Sequence, residues 1–286
     1  MSKRPWMALP LLVCAFAVLA AGPGAVRKQV ESSMLVTGTI DIEPDGSVSG
    51  HRLDQPEKLP KGVVLLIRRS TPDWRFEPVL VDGKAVKARA RMSLRVVAKK
   101  IDQTSFNVEI RNASFGEERE PPGTQVESGG MKPPNYPRAA WSSGITGTVY
   151  LVVRIGRQGT VEDVVAEQVN LRVIGSERQM QQGRDLLAQA AVQAARHWTF
   201  KPPTLGVHAA EPFWSARIPV DFAFDDDPSI SKHGQYGKWE AYVPGPRQLV
   251  PWILESADSE SPDAMGAGGV YQVGQGPRLL TPLGKG

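Results

Sequence analysis

The segment Thr148–Ile155 sets the tightest limit on what this chain can fold into. Val149, Leu151, Val153 and Ile155 alternate with Thr148, Tyr150, Val152 and Arg154. That period of two places one apolar row on one face of a β-strand, because successive side chains leave a strand on opposite sides. Gly156-Arg157-Gln158-Gly159 follows and reads as a hairpin turn, since glycine tolerates positive φ. Val161 and Val164 begin the return strand. A helix is expected from about Asp185 to Trp198, where Leu187, Ala191, Ala194 and Trp198 recur at helical spacing as one apolar stripe. Pro202-Pro203 stops it. A last strand carries Ala216, Ile218, Val220, Phe222 and Phe224 on one face and Arg217, Pro219 and Asp221 on the other. Proline cannot donate to a sheet ladder, so this strand is expected at an edge or with a bulge. The segment reads as α+β: a small three-stranded antiparallel sheet packed by one helix.

The same punctuation occurs earlier in the chain. Gly38-Thr39-Ile40-Asp41-Ile42 runs into Glu43-Pro44-Asp45-Gly46, and Trp74-Arg75-Phe76-Glu77-Pro78 comes later. In the second segment Trp198-Thr199-Phe200-Lys201-Pro202 follows the hairpin in the same order. Strand, glycine turn, strand, then Trp-x-Phe-x-Pro is read as a degenerate duplication, with chance order as the alternative. In this first copy Val63–Ile67 is a short helix or a buried strand; periodicity does not arbitrate. Val86, Ala88, Ala90, Met92, Leu94 and Val96 alternate with Lys87, Arg89, Arg91, Ser93 and Arg95, a strand with a basic outer face. Phe106, Val108 and Ile110 suit its hairpin partner.

Outside these segments the composition changes. Residues 1–21 carry Lys3 and Arg4, a short apolar run from Leu11 to Ala21, and small residues at Ala20 and Ala21, the pattern of a cleaved secretory signal. The alternative is an anchor through residues 6–25, whose apolar part reaches the ~20 residues a span needs only if Pro10, Gly22 and Pro23 are counted. Cys14, the only cysteine, lies inside this segment, so removal leaves no thiol chemistry. Residues 34–115 form the first β-rich unit, 116–131 a linker with Pro121-Pro122-Gly123, and 132–225 the second unit. Residues 226–286, rich in Gly, Pro and Ser, carry no persistent period and read as an irregular extension, either disordered or lying extended along the domain.

The residues point away from several function classes. The net charge of +4 is spread along the chain without a basic block interleaved with aromatics, which disfavours nucleic acid. His51, His197, His208 and His233 lie far apart without metal-ligand spacing. Asp225-Asp226-Asp227 lacks the spaced ligands of a calcium loop. Gly46-Ser47-Val48-Ser49-Gly50 puts Val48 where a serine nucleophile would stand. No catalytic residue, metal, cofactor or small-molecule substrate is expected.

Tyr136-Pro137-x-x-Ala140, then Gly144 and Gly147, precedes the second hairpin. With the Gln158-Gly159 turn, the alanine-rich helix, Trp198-x-Phe200-x-Pro202 and the closing strand, residues 132–225 resemble the TonB C-terminal domain family. The resemblance implies a periplasmic, Gram-negative module with a hairpin before its helix, and protein binding rather than catalysis. It also implies pairing of a sheet edge with a short segment of an outer-membrane transporter, in energy-dependent transport. Strand addition of this kind takes affinity from main-chain hydrogen bonds. The edge carried over is Arg217, Ile218, Pro219, Val220, Asp221 and Phe222. The other reading of Pro219 is protection of an edge against aggregation. Trp198 and Phe200 read as core anchors, with partner contact as the alternative. The chain departs from the transducer pattern in having no His before His51, no long Lys-Pro and Glu-Pro spacer, Gln158 in place of the turn Asp, and an insertion at Asn170–Arg184. The alternative function is therefore an envelope structural or interaction protein without energy coupling. The expected partner is another envelope protein, with a homodimer also compatible.

Overall fold

The structure, a computed structural model, describes residues 31–102, 105–117, 121–224, 236–253 and 261–283. The segments read as signal peptide or anchor, with Cys14, as well as Asp225-Asp226-Asp227 and His233, lie outside the described residues. Among the described residues no helix is long and apolar enough to cross a membrane, which leaves β-barrel spans unaddressed.

The first unit is built around β1 (Glu31–Ile42). β2 (Val48–Leu53) pairs with one side of β1, α1 (Lys61–Ser70) follows, and the small hairpin β3 (Leu80–Val81) and β4 (Lys84–Ala85) leads into β5 (Ala88–Lys100). β5 pairs with the other side of β1, and β6 (Phe106–Glu117) pairs with β5; all are antiparallel. Met34, Val36, Ile40 and Ile42 of β1 and Ala90, Met92, Leu94 and Val96 of β5 fall on one buried face. Val63–Ile67 resolves to helix: Val63 and Ile67, four apart, share one face and close over that row. Trp74 and Phe76 seal the end of the core, each edge-on to Phe115 with centroids 5.9 and 4.8 Å apart.

The second unit also runs from a hairpin through a helix to a later strand on the other side of the hairpin's first strand. β7 (Glu127–Gly130) and α2 (Arg138–Ser142) precede the hairpin β8 (Gly147–Gly156) and β9 (Val161–Leu171). Then come α3 (Glu177–Ala195), β10 (Thr199–Lys201) and β11 (Phe213–Phe222). β8 is central, between β9 and β11. Val149, Leu151, Val153, Ile155, Ala216 and Ile218 pack with Leu187, Ala191 and Ala195 of α3. A mixed α/β arrangement with antiparallel sheets and few helices is thus present in both halves.

Four expectations need correction. The helix begins at Glu177, not near Asp185, because Ser176 and Gln179 form a reciprocal capping box and Met180 and Gly183 extend the buried stripe. It ends at Ala195, before the prolines, since Thr199–Lys201 pairs with β7 as a strand. That pairing takes residues 127–130 out of the expected linker, and Val126 is buried in the core. The sheet of the second unit has four strands, not three: β13 (Tyr271–Gln272), from the C-terminal extension, pairs with β11.

The two hairpins share fine geometry. Gly46 and Gly159 have φ of +81° and +76°, and a Cβ on either would sit 2.0 Å from the carbonyl oxygen of Phe76 or Phe200. Phe76 N–H donates to Gly46 O at 2.8 Å and Phe200 N–H to Gly159 O at 2.7 Å. Ser47 bridges to Arg75 as Thr160 bridges to Thr199. In each hairpin one extra residue, Ser49 or Glu162, bulges just after the turn.

The described parts of the C-terminal extension lace the units together. Tyr236 OH donates to Asp54 O, and β12 (Glu240–Tyr242) pairs with the start of β1. Val243 and Leu171 exchange both main-chain hydrogen bonds, and Gln248 N–H donates to Glu167 O, which covers part of the β9 edge. A short 3₁₀ turn, Pro262–Ala264, brings buried Asp263 between the units, where Asn112 Nδ2 and Tyr242 OH donate to it. Leu280 N–H then donates to Arg75 O in the first unit.

Candidate functional site

β11 divides its backbone between two neighbours. Ser215 O accepts from Val273 N–H at 2.8 Å, and Pro219 O accepts from Gly268 N–H at 3.2 Å. The odd-numbered residues therefore turn their main-chain groups outward, and the even-numbered residues turn theirs to β8. Pro219 falls in the outward row, so its missing N–H is lost to the outer rim and not to the β8 ladder. The rim is not wholly open: Ala216 and Arg217 stand opposite Gln272 and Tyr271 of β13.

The side chains of the six expected site residues are largely internal. Ile218, Val220 and Phe222 belong to the core under α3. Pro219 is buried as well. Arg217 is buried on the opposite face, where Nε and Nη2 donate to Glu167 Oε2 and Oε1 at 2.8 and 3.1 Å. Glu167 is the bulged residue of β9: Tyr150 pairs with Gln168 and Leu151 with Ala166, leaving Glu167 between them. The bulge re-aims its carboxylate, and Arg247 adds a second ion pair at 2.6 Å. Asp221 accepts from Thr148 Oγ1 at 2.9 Å and Arg172 Nη1 at 2.7 Å. Burial works against the charge on Arg172, but Asp221 outweighs it and holds that guanidinium above its ordinary value. The outer rim thus presents main-chain groups on a strand that is fixed on both faces.

Next to the rim, Val126 N–H donates to Gln272 Oε1 at 3.1 Å in a buried contact. Val270 packs against the core of the second unit. Tyr271 OH turns back onto Gly266, accepting from its N–H at 3.1 Å. At the end of the strand Tyr136 stacks on Phe224 with centroids 5.3 Å apart and donates through its hydroxyl to Ile145 O. Trp198 and Phe200 are core residues, and Trp198 Nε1 donates to Lys132 O at 2.8 Å. Among the described residues no group of three or more His, Cys, Asp or Glu is placed to hold a metal.

Residues 132–224 match the family model for the Gram-negative bacterial TonB protein C-terminal. This segment is a TonB C-terminal domain. The TonB C-terminal domain is a binding module, not an enzyme. Over 100 residues the chain is 34% identical to Protein TonB of Xanthomonas campestris pv. campestris strain B100, covering 35% of this chain and 39% of that protein. Over 89 residues it is 34% identical to Protein tonB2 of Pseudomonas aeruginosa, covering 31% of this chain and 28% of that protein. The chain therefore spans well under half the length of these curated relatives. No solved structure matches.

Sequence reasoning missed Glu167, Arg247, Val126 and Gln272. Arg217 and Glu167 lie 50 positions apart, and Val126 and Gln272 lie 146 apart. No local pattern announces pairs so distant. The one available signal is Glu167 itself, which interrupts the spacing of Val164, Val169 and Leu171 as a bulge does.

Proposed function

We propose that this chain is a cell-envelope protein of a Gram-negative bacterium whose TonB C-terminal domain takes an extended partner segment onto the outer rim of β11. The partner class is the outer-membrane transporter, and the process is energy-coupled transport across the envelope. The observation that carries this reading is the outward main-chain row of Ser215, Arg217, Pro219 and Asp221 in a domain of this family. Main-chain groups supply affinity in strand addition without asking much of the side chains. The domain works in the periplasm, with residues 1–21 as the export signal and an anchor through residues 6–25 as the other mode of attachment. We also read the first unit as a degenerate copy of the module, supported by the paired Gly46/Phe76 and Gly159/Phe200 contacts.

A photo-crosslinking residue at Ser215 or Asp221 tests the proposal in cells. The expected result is an adduct with an outer-membrane transporter, absent when the probe sits at exposed Gln189 on α3. No transporter adduct, or equal labelling from Gln189, contradicts it. A second reading is an envelope interaction protein without energy coupling, favoured by the way the chain's own extension covers parts of both edges of the second sheet. Gene deletion separates the two: a large loss of iron-siderophore uptake supports transport, and unchanged uptake supports the second reading.

A further inference from the structure

The segment seated on β11 shows what kind of strand the rim accepts. It runs antiparallel, with Gly268 at Pro219, Tyr271 at Arg217 and Val273 at Ser215. Two of its side chains point into the domain. Val270 packs on the core, and Gln272 accepts from the buried Val126 N–H. A buried N–H left without an acceptor is destabilising, so any occupant of this rim needs an acceptor at that place. The first unit shows a rim filled along its length. There β6 lies antiparallel along Ala90–Lys100 of β5, the strand that corresponds to β11. In the second unit only Tyr271 and Gln272 make regular strand pairs. One rim is closed by a long hairpin, the other by a short piece of chain.

We propose that residues 266–273 are a self-donated strand on the acceptor rim, and that a partner segment binds by displacing them. The partner is an extended peptide, antiparallel to β11, with a small apolar residue followed two positions later by a side-chain amide or carboxylate acceptor. The apolar residue takes the place of Val270, and the acceptor takes the Val126 N–H from Gln272. This inference rests on the reading of β11 as a strand acceptor and adds to it an occupant and a side-chain requirement.

The test uses a labelled synthetic peptide with the sequence of residues 266–276 and three full-length or near full-length chains. One is unaltered, one ends at Met265, and one carries Gln272→Ala and Val273→Pro. The last removes the acceptor for Val126 and the N–H that reaches Ser215 O, while keeping the contacts of residues 278–280 with the first unit. Both opened chains should bind the peptide saturably, at least about ten-fold more tightly than the unaltered chain. A peptide with Gln272→Ala should bind the opened chains about ten-fold more weakly. If the truncated chain does not fold, the doubly substituted chain decides. A folded opened chain that ignores the peptide, or equal binding by all three chains, overturns the proposal. The same chains are then offered N-terminal periplasmic segments of outer-membrane transporters. Equal binding of those segments by opened and unaltered chains keeps the acceptor rim and overturns the self-donated strand. Binding of the chain's own peptide without binding of any transporter segment keeps the self-donated strand and removes transporters as the partner.

Discussion

At the scale of single residues, two kinds of position decide whether this chain holds its shape. The first is the turn glycine. Gly159 combines positive φ with a carbonyl 2.0 Å from where a Cβ would stand, and Gly46 repeats this, whereas Gly83 has positive φ but open space. Gly83→Ala should cost about 1–2 kcal/mol from the left-handed backbone alone. Gly159→Ala and Gly46→Ala should cost clearly more, because the Phe200 or Phe76 carbonyl must also move; urea midpoints of the three variants check the order. The second is the buried ion pair. Glu167→Leu removes the carboxylate to which buried Arg217 donates twice, and should cost about 3–5 kcal/mol. Adding Arg217→Met should recover most of that loss, since Arg247, its side chain 41% exposed, stays hydrated. Denaturant unfolding of the single and double variants measures it. The turn glycines were legible in the sequence, since Gln158-Gly159 and Asp45-Gly46 announce a hairpin locally. The ion pair was not legible, because it depends on a bulge and on two strands brought together by the fold.

Elements show a similar division. The strands β8 and β11 follow from alternation, and the helix across them follows from the spacing of Leu187 and Ala191. The start of α3 did not follow, because residues 177–184 are mostly polar and their helicity is set by the Ser176/Gln179 box and by Met180 and Gly183 beneath. Ser176→Ala should cost about 1 kcal/mol and reduce helical signal at the N-terminal end of α3. In the first unit, the turn after α1 places Thr71 Oγ1 2.9 Å from His51 Nδ1. Burial, with Arg68 nearby, holds the His51 imidazole below its usual value of 6.5. A folded state that keeps this group neutral is favoured above pH 6.5, and the advantage is lost as pH falls through the lowered value. Unfolding midpoints at about pH 8 and about pH 5 should therefore fall further for the unaltered protein than for His51→Gln.

At the scale of the whole molecule, the C-terminal extension changes the picture most. Its composition reads as irregular, either disordered or lying extended along the domain; its described residues pair with β1, β9 and β11 and set Asp263 between the units. Such strapping carries no period, since each contact is made to a different element and the segment has no repeating face of its own. The architecture this leaves is two antiparallel sheets, one whose β5 rim is covered by a long strand and one whose β11 rim is covered by a short one. On the proposed function, the β11 rim accepts a partner strand through its outward main-chain row. Amide hydrogen exchange in the Gln272→Ala/Val273→Pro chain, with and without the N-terminal segment of an outer-membrane transporter, addresses it most directly. Exchange should slow at Ser215, Arg217 and Asp221, with Ile218 and Val220 unchanged because they already face β8. Protection that appears along β9 or α3 instead, or nowhere, contradicts it.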